Sequence, residues 1–230
     1  MDMKSIISLS SVNKDFPVGE GFFRALEGIT LTIGKGEFTG LVGPSGSGKT
    51  TLLNIIGSLD IPTSGEAVVL GNHIKSLSPK KSAELRNLHI GFIFQSYNLL
   101  PVYTVYEIVE FALLLQNKTK EERHRAVMEA LDWVGLTGKK ESRPSQLSGG
   151  ESQRVAIARA MVKYPEIVLA DEPSANLDAE NSHHILQTML RLNEELQTTF
   201  IFATHDEKVM QYLRRTVSLK DGRVEKDDMC

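Results

Sequence analysis

One cysteine, Cys230, stands among the 230 residues, so no internal disulfide can form and the chain fits a reducing compartment. No stretch approaches the roughly 20 apolar residues that a bilayer-spanning helix needs. If this chain drives anything across a membrane, another chain must supply the passage. The amino end, Met1-Asp2-Met3-Lys4-Ser5-Ile6-Ile7-Ser8, lacks a long apolar core and reads as a strand start instead of a signal peptide. Neither sign of charge is in excess: 26 Lys and Arg stand against 29 Asp and Glu, for a net charge of −3. That gives no general electrostatic reason to hold nucleic acid, and none is expected as a partner. Repeats and low-complexity stretches are also lacking. With 41% hydrophobic residues the chain can bury a substantial core as one unit, which excludes a disordered tail.

The most informative segment present is Gly43-Pro44-Ser45-Gly46-Ser47-Gly48-Lys49-Thr50, which fits the pattern Gly, four residues, Gly, Lys, then Ser or Thr. Glu37-Phe38-Thr39-Gly40-Leu41-Val42 before it reads as a buried strand, and Thr51-Leu52-Leu53-Asn54-Ile55-Ile56 after it as a helix start. Strand, loop and helix in that order bind phosphate. The glycines at 43, 46 and 48 let the backbone approach an anion, and amides from Gly46 to Thr51 sit at the positive end of a helix dipole. Lys49 supplies a point charge for the β and γ phosphates, and the Thr50 hydroxyl is a ligand for Mg²⁺. A Gly/Ser-rich surface turn would need neither residue at that offset.

Two further strands point to the same edge. Glu166-Ile167-Val168-Leu169-Ala170 delivers Asp171 and Glu172 at its carboxyl end, where open α/β sheets place ligands. Asp171 is expected to hold Mg²⁺ through its water shell, and Glu172 to act as general base. Thr199-Phe200-Ile201-Phe202-Ala203 ends at Thr204-His205-Asp206, which would bring His205 to the γ-phosphate. Alone, the carboxylate pair would read as a solvated loop and His205 as a surface residue; the phosphate loop reverses that weighting.

With Gln95 after Ile90-Gly91-Phe92-Ile93-Phe94, the segment Leu147-Ser148-Gly149-Gly150-Glu151, and Ser174-Ala175-Asn176-Leu177-Asp178, the motifs stand in the order of an ABC transporter ATPase, which the chain resembles over nearly its whole length. The resemblance implies a phosphate-loop α/β fold of ABC type. It would be one domain, 1–230, with a mixed-sheet catalytic core and antiparallel β subdomain at 1–95 and 165–230, and an inserted helical subdomain at 96–164. It implies ATP and Mg²⁺, with Ser45, Gly46, Ser47, Gly48, Lys49, Thr50 and Thr51 on the phosphates and Phe16 stacking on adenine. Phe16 falls where Tyr is usual and keeps the π face; read alone, it would be a core residue of the first strand pair. Thr50, Gln95 and Asp171 would be the metal residues, and Glu172, His205, Gln95 and Lys49 the catalytic ones. Leu147 to Glu151 would serve the ATP of a second copy in a head-to-tail dimer, and Asp178 would run along that interface. A separate membrane permease would be the other partner, leaving this chain cytoplasmic and peripheral on the membrane.

Glu151 stands where Gln is more usual, so either it points away from the phosphate or the turn binds ATP more weakly. Ala175 and Asn176 also depart from the common pattern. The apolar loop Ser96 to Tyr103 is read either as the permease's landing site or as a core turn. The wording from Asn54 to Gly65 resembles the subgroup of Lol-type lipoprotein-release, Mac-type efflux and Fts-type division ATPases. A rival reading is a soluble ABC-type clamp or regulator in division or nucleic-acid handling; a small-molecule kinase would lack Gln95 and the Leu147 to Glu151 turn.

Smaller expectations complete the reading. Glu66 to Leu70, Gly71-Asn72 and His73-Ile74 form a hairpin. Val127, Met128, Leu131 and Val134 line a helix face that stops at Gly135, and Lys118 to Arg125 is a solvated charge run. Ile185, Met189, Leu192 and Leu196 line a helix from about Asp178. His183 and His184 are solvent-facing.

Overall fold

The computed structural model describes residues 5–229; Met1 to Lys4 of the strand-start reading, and Cys230, lie outside the described residues. In chain order the first strands and helices are β1 (Ser5–Val18), β2 (Gly21–Gly34), β3 (Phe38–Val42), α1 (Lys49–Ile56), β4 (Ser64–Val69), β5 (Asn72–His73), α2 (Pro79–His89) and β6 (Ile90–Ile93). Three helices follow, α3 (Val105–Glu110), α4 (Lys120–Trp133) and α5 (Gly149–Met161), with no strand among residues 96–164. The chain closes with β7 (Ile167–Asp171), α6 (Ala179–Leu196), β8 (Thr199–Thr204), α7 (Glu207–Met210), β9 (Arg215–Lys220) and β10 (Arg223–Met229).

Two sheets result. One is antiparallel, in the order β2-β1-β4-β5, and the other has six strands in the order β10-β9-β3-β8-β7-β6. All pairs in the larger sheet are parallel except β10 on β9. Every residue of β3 and β8 is buried, as expected of parallel strands covered on both faces.

Because successive side chains leave a strand on opposite faces, each central strand feeds two cores. Phe200, Phe202, Val168 and Ala170 join Val127, Leu131, Ile157, Ile185 and Met189 from the helices. Ile201, Ala203, Ile167 and Leu169 join Leu52, Ile55 and Ile56 of α1 and Ile7, Leu9, Ile29 and Leu31 of the antiparallel sheet. The parallel sheet is thus a shared wall, with α1 and the small sheet on one side and the helical layer on the other. Phe38 locks that wall, its ring centroid 4.6 Å from Phe202 and 5.6 Å from Phe200, contacts worth about 0.5–1.5 kcal/mol each beyond area burial.

This topology positions the chemistry. Val42 is in register with Thr204 on β8, and Asp171 with Ala203, so the phosphate loop, Glu172 and His205 leave adjacent strand ends at one edge.

Several local expectations change. Helix α1 starts at Lys49, not Thr51, so Lys49 and Thr50 belong to its first turn. The hairpin's second arm is Asn72–His73, and Ile74 already opens a 3₁₀ turn. In α4, Val127 and Leu131 are buried but Met128 only half so. The charge run is not wholly solvated: Arg123 Nε bonds Glu110 Oε1 at 2.9 Å, and its guanidinium also donates to Lys118 O at 3.0 Å. In α6, Ile185, Met189 and Leu192 are buried and Leu196 half-buried, while exposed His183 meets the Tyr212 hydroxyl.

Candidate functional site

A cleft of about 410 Å³ lies at this strand edge, lined by Phe16, Phe23, Ala25, Ser45, Gly46, Gly48, Lys49, Thr50, Thr51, Gln95, Asp171, Glu172 and His205. A larger hollow, of about 610 Å³ among Lys35, Leu70, Lys81 and Glu166, holds none of the sequence-predicted site residues.

The phosphate loop admits little substitution where it leaves β3. Gly43 has φ 150°, and a Cβ there would lie 2.1 Å from the Leu219 carbonyl oxygen of β9. Only glycine lets the loop pass that strand. Lys49 is buried, and its ammonium donates to Gly43 O at 2.7 Å and Pro44 O at 2.8 Å, so the side chain arches over the loop. An ammonium has three donors, which leaves one for a phosphate oxygen. Ser47 Oγ is buried with no hydrogen-bond partner, and Ser47 is not among the residues that line the cleft. Lys49→Ala should therefore weaken MgATP binding by about a hundredfold, the loss of a charge-assisted contact of about 2–3 kcal/mol, read by equilibrium titration.

Across the cleft, the Thr50 hydroxyl donates to Asp171 Oδ2 at 3.0 Å. Burial pushes the Asp171 carboxyl above its ordinary range, with neighbouring Glu172 adding to the rise, while Thr50 and Lys49 oppose it. A cation there would reverse the balance. The oxygens of Thr50, Asp171 and Gln95 suit a hard divalent ion such as Mg²⁺. Among the described residues no three His, Cys, Asp or Glu side chains cluster to hold a metal, so the remaining ligands would be phosphate oxygens and water.

Glu172 sits at φ 46°, a left-handed conformation that costs about 1–3 kcal/mol and is concentrated at functional sites. Its Oε1 lies 2.6 Å from His205 Nδ1, and its Oε2 accepts from the Thr204 hydroxyl at 3.2 Å. The carboxylate is held from two sides and faces the cleft.

The Leu147 to Glu151 segment lies elsewhere: none of its residues lines the cleft. Helix α5 begins at Gly149, with Ser148 as N-cap. Ser148 Oγ accepts from Glu151 N at 3.2 Å, and Glu151 Oε2 accepts from Ser148 N at 2.8 Å. This capping box fixes where the Glu151 carboxylate points. Its carboxylate turns back onto its own turn, which holds it below the ordinary carboxylate range, and Lys139 approaches it at 3.4 Å. The box occupies the Ser148 N–H but only an acceptor site of the hydroxyl, leaving Ser148 O–H and the first helical amides, Gly149 and Gly150, as donors for an anion.

Asp178 is the N-cap of α6, with Oδ1 accepting from Asn181 N and Oδ2 from Asn181 Nδ2, both at 2.8 Å. The Asn181 amide holds its carboxyl below the usual range. A Cβ on Gly150 would come within 2.3 Å of Asn181 Oδ1, so the starts of α5 and α6 touch and the two motifs are mechanically tied.

The sequence did not reveal two groups that hold the Gln95 loop. Asn176 Nδ2 donates to Gln95 O at 2.8 Å, which gives that departure from the usual pattern a use. Arg159 of α5, half-buried, donates to Tyr97 O at 2.9 Å and Asn98 O at 2.6 Å. Tyr97 and Asn98 both have positive φ, 59° and 50°, a bend secured by that guanidinium. No spacing signals such contacts, because the partners lie 61 to 81 residues apart and meet only through tertiary packing. Phe23, also missed, lines the cleft beside Phe16.

This is the fold and edge geometry of a phosphate-loop nucleotide hydrolase. Residues 26–175 match the ABC transporter family, and the chain belongs to it: it is an ATPase whose cofactor is Mg²⁺. It is 41% identical to the lipoprotein-releasing system ATP-binding protein LolD of Bacteroides thetaiotaomicron, over 96% of this chain and 100% of that one. It is 43% identical to the macrolide export ATP-binding/permease protein MacB of Rhodopirellula baltica, over 96% of this chain but 33% of that one. Among solved structures, the dimeric ABC transporter cassette MJ0796 superposes with a TM-score of 0.90 at 41% identity, covering 97% of this chain and 98% of that one. A dimeric post-hydrolysis state of MJ0796 bound to ADP and Pi gives 0.89 at 40% identity, with the same coverage.

Proposed function

We propose that two copies of this chain close head to tail around ATP and drive conformational change in a separate membrane permease, for lipoprotein release or efflux. The observation that carries the dimer is the incomplete cleft: it holds phosphate loop and carboxylates but no residue from Leu147 to Glu151. Dimeric relatives of high structural similarity support the same reading. In it, the phosphate loop from Ser45 to Thr51 holds the triphosphate and Phe16 stacks on the base. Ser148 O–H and the amides of Gly149 and Gly150 from the partner copy grip the γ-phosphate, with the α5 dipole behind them. Leu147 and Glu151 hold that turn in shape, and Asp178 at the head of α6 faces the partner.

Glu172 takes a proton from the attacking water while the water's oxygen bonds to the γ-phosphorus and the bond to the β-phosphate oxygen breaks. His205 orients Glu172 and reaches the γ-phosphate. Mg²⁺, held by Thr50, Asp171 and Gln95, would neutralise charge on the phosphate oxygens. Loss of the γ-phosphate removes the shared ligand, and the copies part.

For the permease, support comes from the loop after Gln95: Leu100, Val102 and Tyr103 are exposed, Val102 at 71%, which disfavours the core-turn reading. The names of the two relatives, a lipoprotein-releasing and an export protein, support the branch. No helix among the described residues is long and apolar enough to cross a membrane, so attachment would run through the permease on the cytoplasmic side. Val102→Asp, expressed in the native host, should shift the chain from the membrane pellet to the supernatant with its purified ATPase rate unchanged. Equal pelleting of wild type and V102D would contradict the landing site, and a wild type that never pellets would contradict the permease.

A further inference from the structure

We infer that Phe23 is a second base-contacting residue, which with Phe16 forms a two-ring platform for the nucleotide's purine. Phe16 and Phe23 are direct cross-strand partners in the β1–β2 pairing, so their side chains stand side by side on one face. Both line the cleft that contains Lys49 and Thr50. Strand β2 is fixed against the phosphate loop two residues further on: Ala25 also lines the cleft, and a Cβ on Gly48 would lie 2.7 Å from Ala25 O. Phe23 and Ala25 both line the cleft across a register shift that leaves Ala25 without a cross-strand partner, while Phe22 lies near the Arg24 guanidinium and outside the cleft lining.

Exposure and electrostatics agree. Phe23 is 57% exposed and Phe16 36%, an aromatic area turned to water that a stacked base would cover. The Lys14 ammonium lies 4.9 Å from the Phe16 ring centroid, fixed by Asp60 Oδ1 at 2.6 Å and Ile61 O at 3.0 Å. It occupies one face of that ring and leaves a single face for the base. Neither phenyl group can donate or accept a hydrogen bond, so this pair responds to the π area of a base and not to its edge.

The test is equilibrium binding of MgATP, MgGTP and inorganic tripolyphosphate, which has no base, to wild type, F16A, F23A, F23L and F23W. Stacking on an aromatic side chain is worth about 1–3 kcal/mol per base, so F23A should raise the Kd for ATP about tenfold, and for GTP by a similar factor. F23L should bind as poorly as F23A, F23W should match or exceed wild type, and tripolyphosphate should bind all five alike. Three results would overturn the assignment. ATP binding to F23A within twofold of wild type would leave Phe23 an exposed hairpin residue, whatever F16A does. Wild-type affinity in F23L would mean that apolar cover suffices. Equal losses for ATP and tripolyphosphate would mean that the substitution disturbs the phosphate loop through Ala25.

Discussion

Glu172→Gln is expected to slow ATP turnover by about a thousandfold and to leave MgATP affinity within a few-fold of wild type, the effect of losing the proposed general base. Glutamine keeps the size and one carbonyl oxygen, so it can still accept from the Thr204 hydroxyl, which lies 3.2 Å from Oε2 in the native chain. It cannot take the water's proton. The neighbouring groups that hold substrate, Lys49 and the loop amides, are untouched. Single-turnover hydrolysis measured beside nucleotide binding separates the two effects. A variant with near-native turnover would move the base elsewhere, with His205, 2.6 Å from Glu172 Oε1, the next group to test.

Ser148→Arg is expected to lower turnover to background and to leave nucleotide binding by the single chain nearly intact. The local cost is small: loss of a serine N-cap is worth about 1 kcal/mol, within what a domain of this size tolerates. The large effect is steric and electrostatic, since in the proposed head-to-tail dimer the guanidinium would fill the space that the γ-phosphate of the partner's nucleotide enters. Because no residue of this segment lines the cleft of its own chain, binding to that cleft has no reason to change. Steady-state turnover and MgATP titration on the same preparation are the readout. Wild-type hydrolysis by S148R would remove the cross-interface role of the turn.

The sequence carried the strand edge far better than the scaffold that holds its loops. Unbroken apolar runs ending in Gly43, Asp171 and Thr204 could be placed because parallel strands buried on both faces leave that pattern. Their order in the sheet is not legible in the residues and appears only in the structure. Capping was partly hidden. Ser148 and Glu151 have the spacing of a capping box, yet the phosphate-facing reading of the turn drew attention to the charge of Glu151 instead of its reach back to Ser148 N. Contacts formed by tertiary packing left no local trace: Arg159 on the carbonyls of Tyr97 and Asn98, Asn176 on Gln95 O, and Phe23 opposite Phe16. Cross-strand pairing with Phe16 could have suggested Phe23, but only once the hairpin register was known.

The claim that a second copy completes the site is tested most directly by the solution mass of Glu172→Gln, measured by light scattering with and without saturating MgATP. The account predicts a monomer of 25.5 kDa without nucleotide and twice that mass with it. A mass that stays monomeric while nucleotide is demonstrably bound would contradict it.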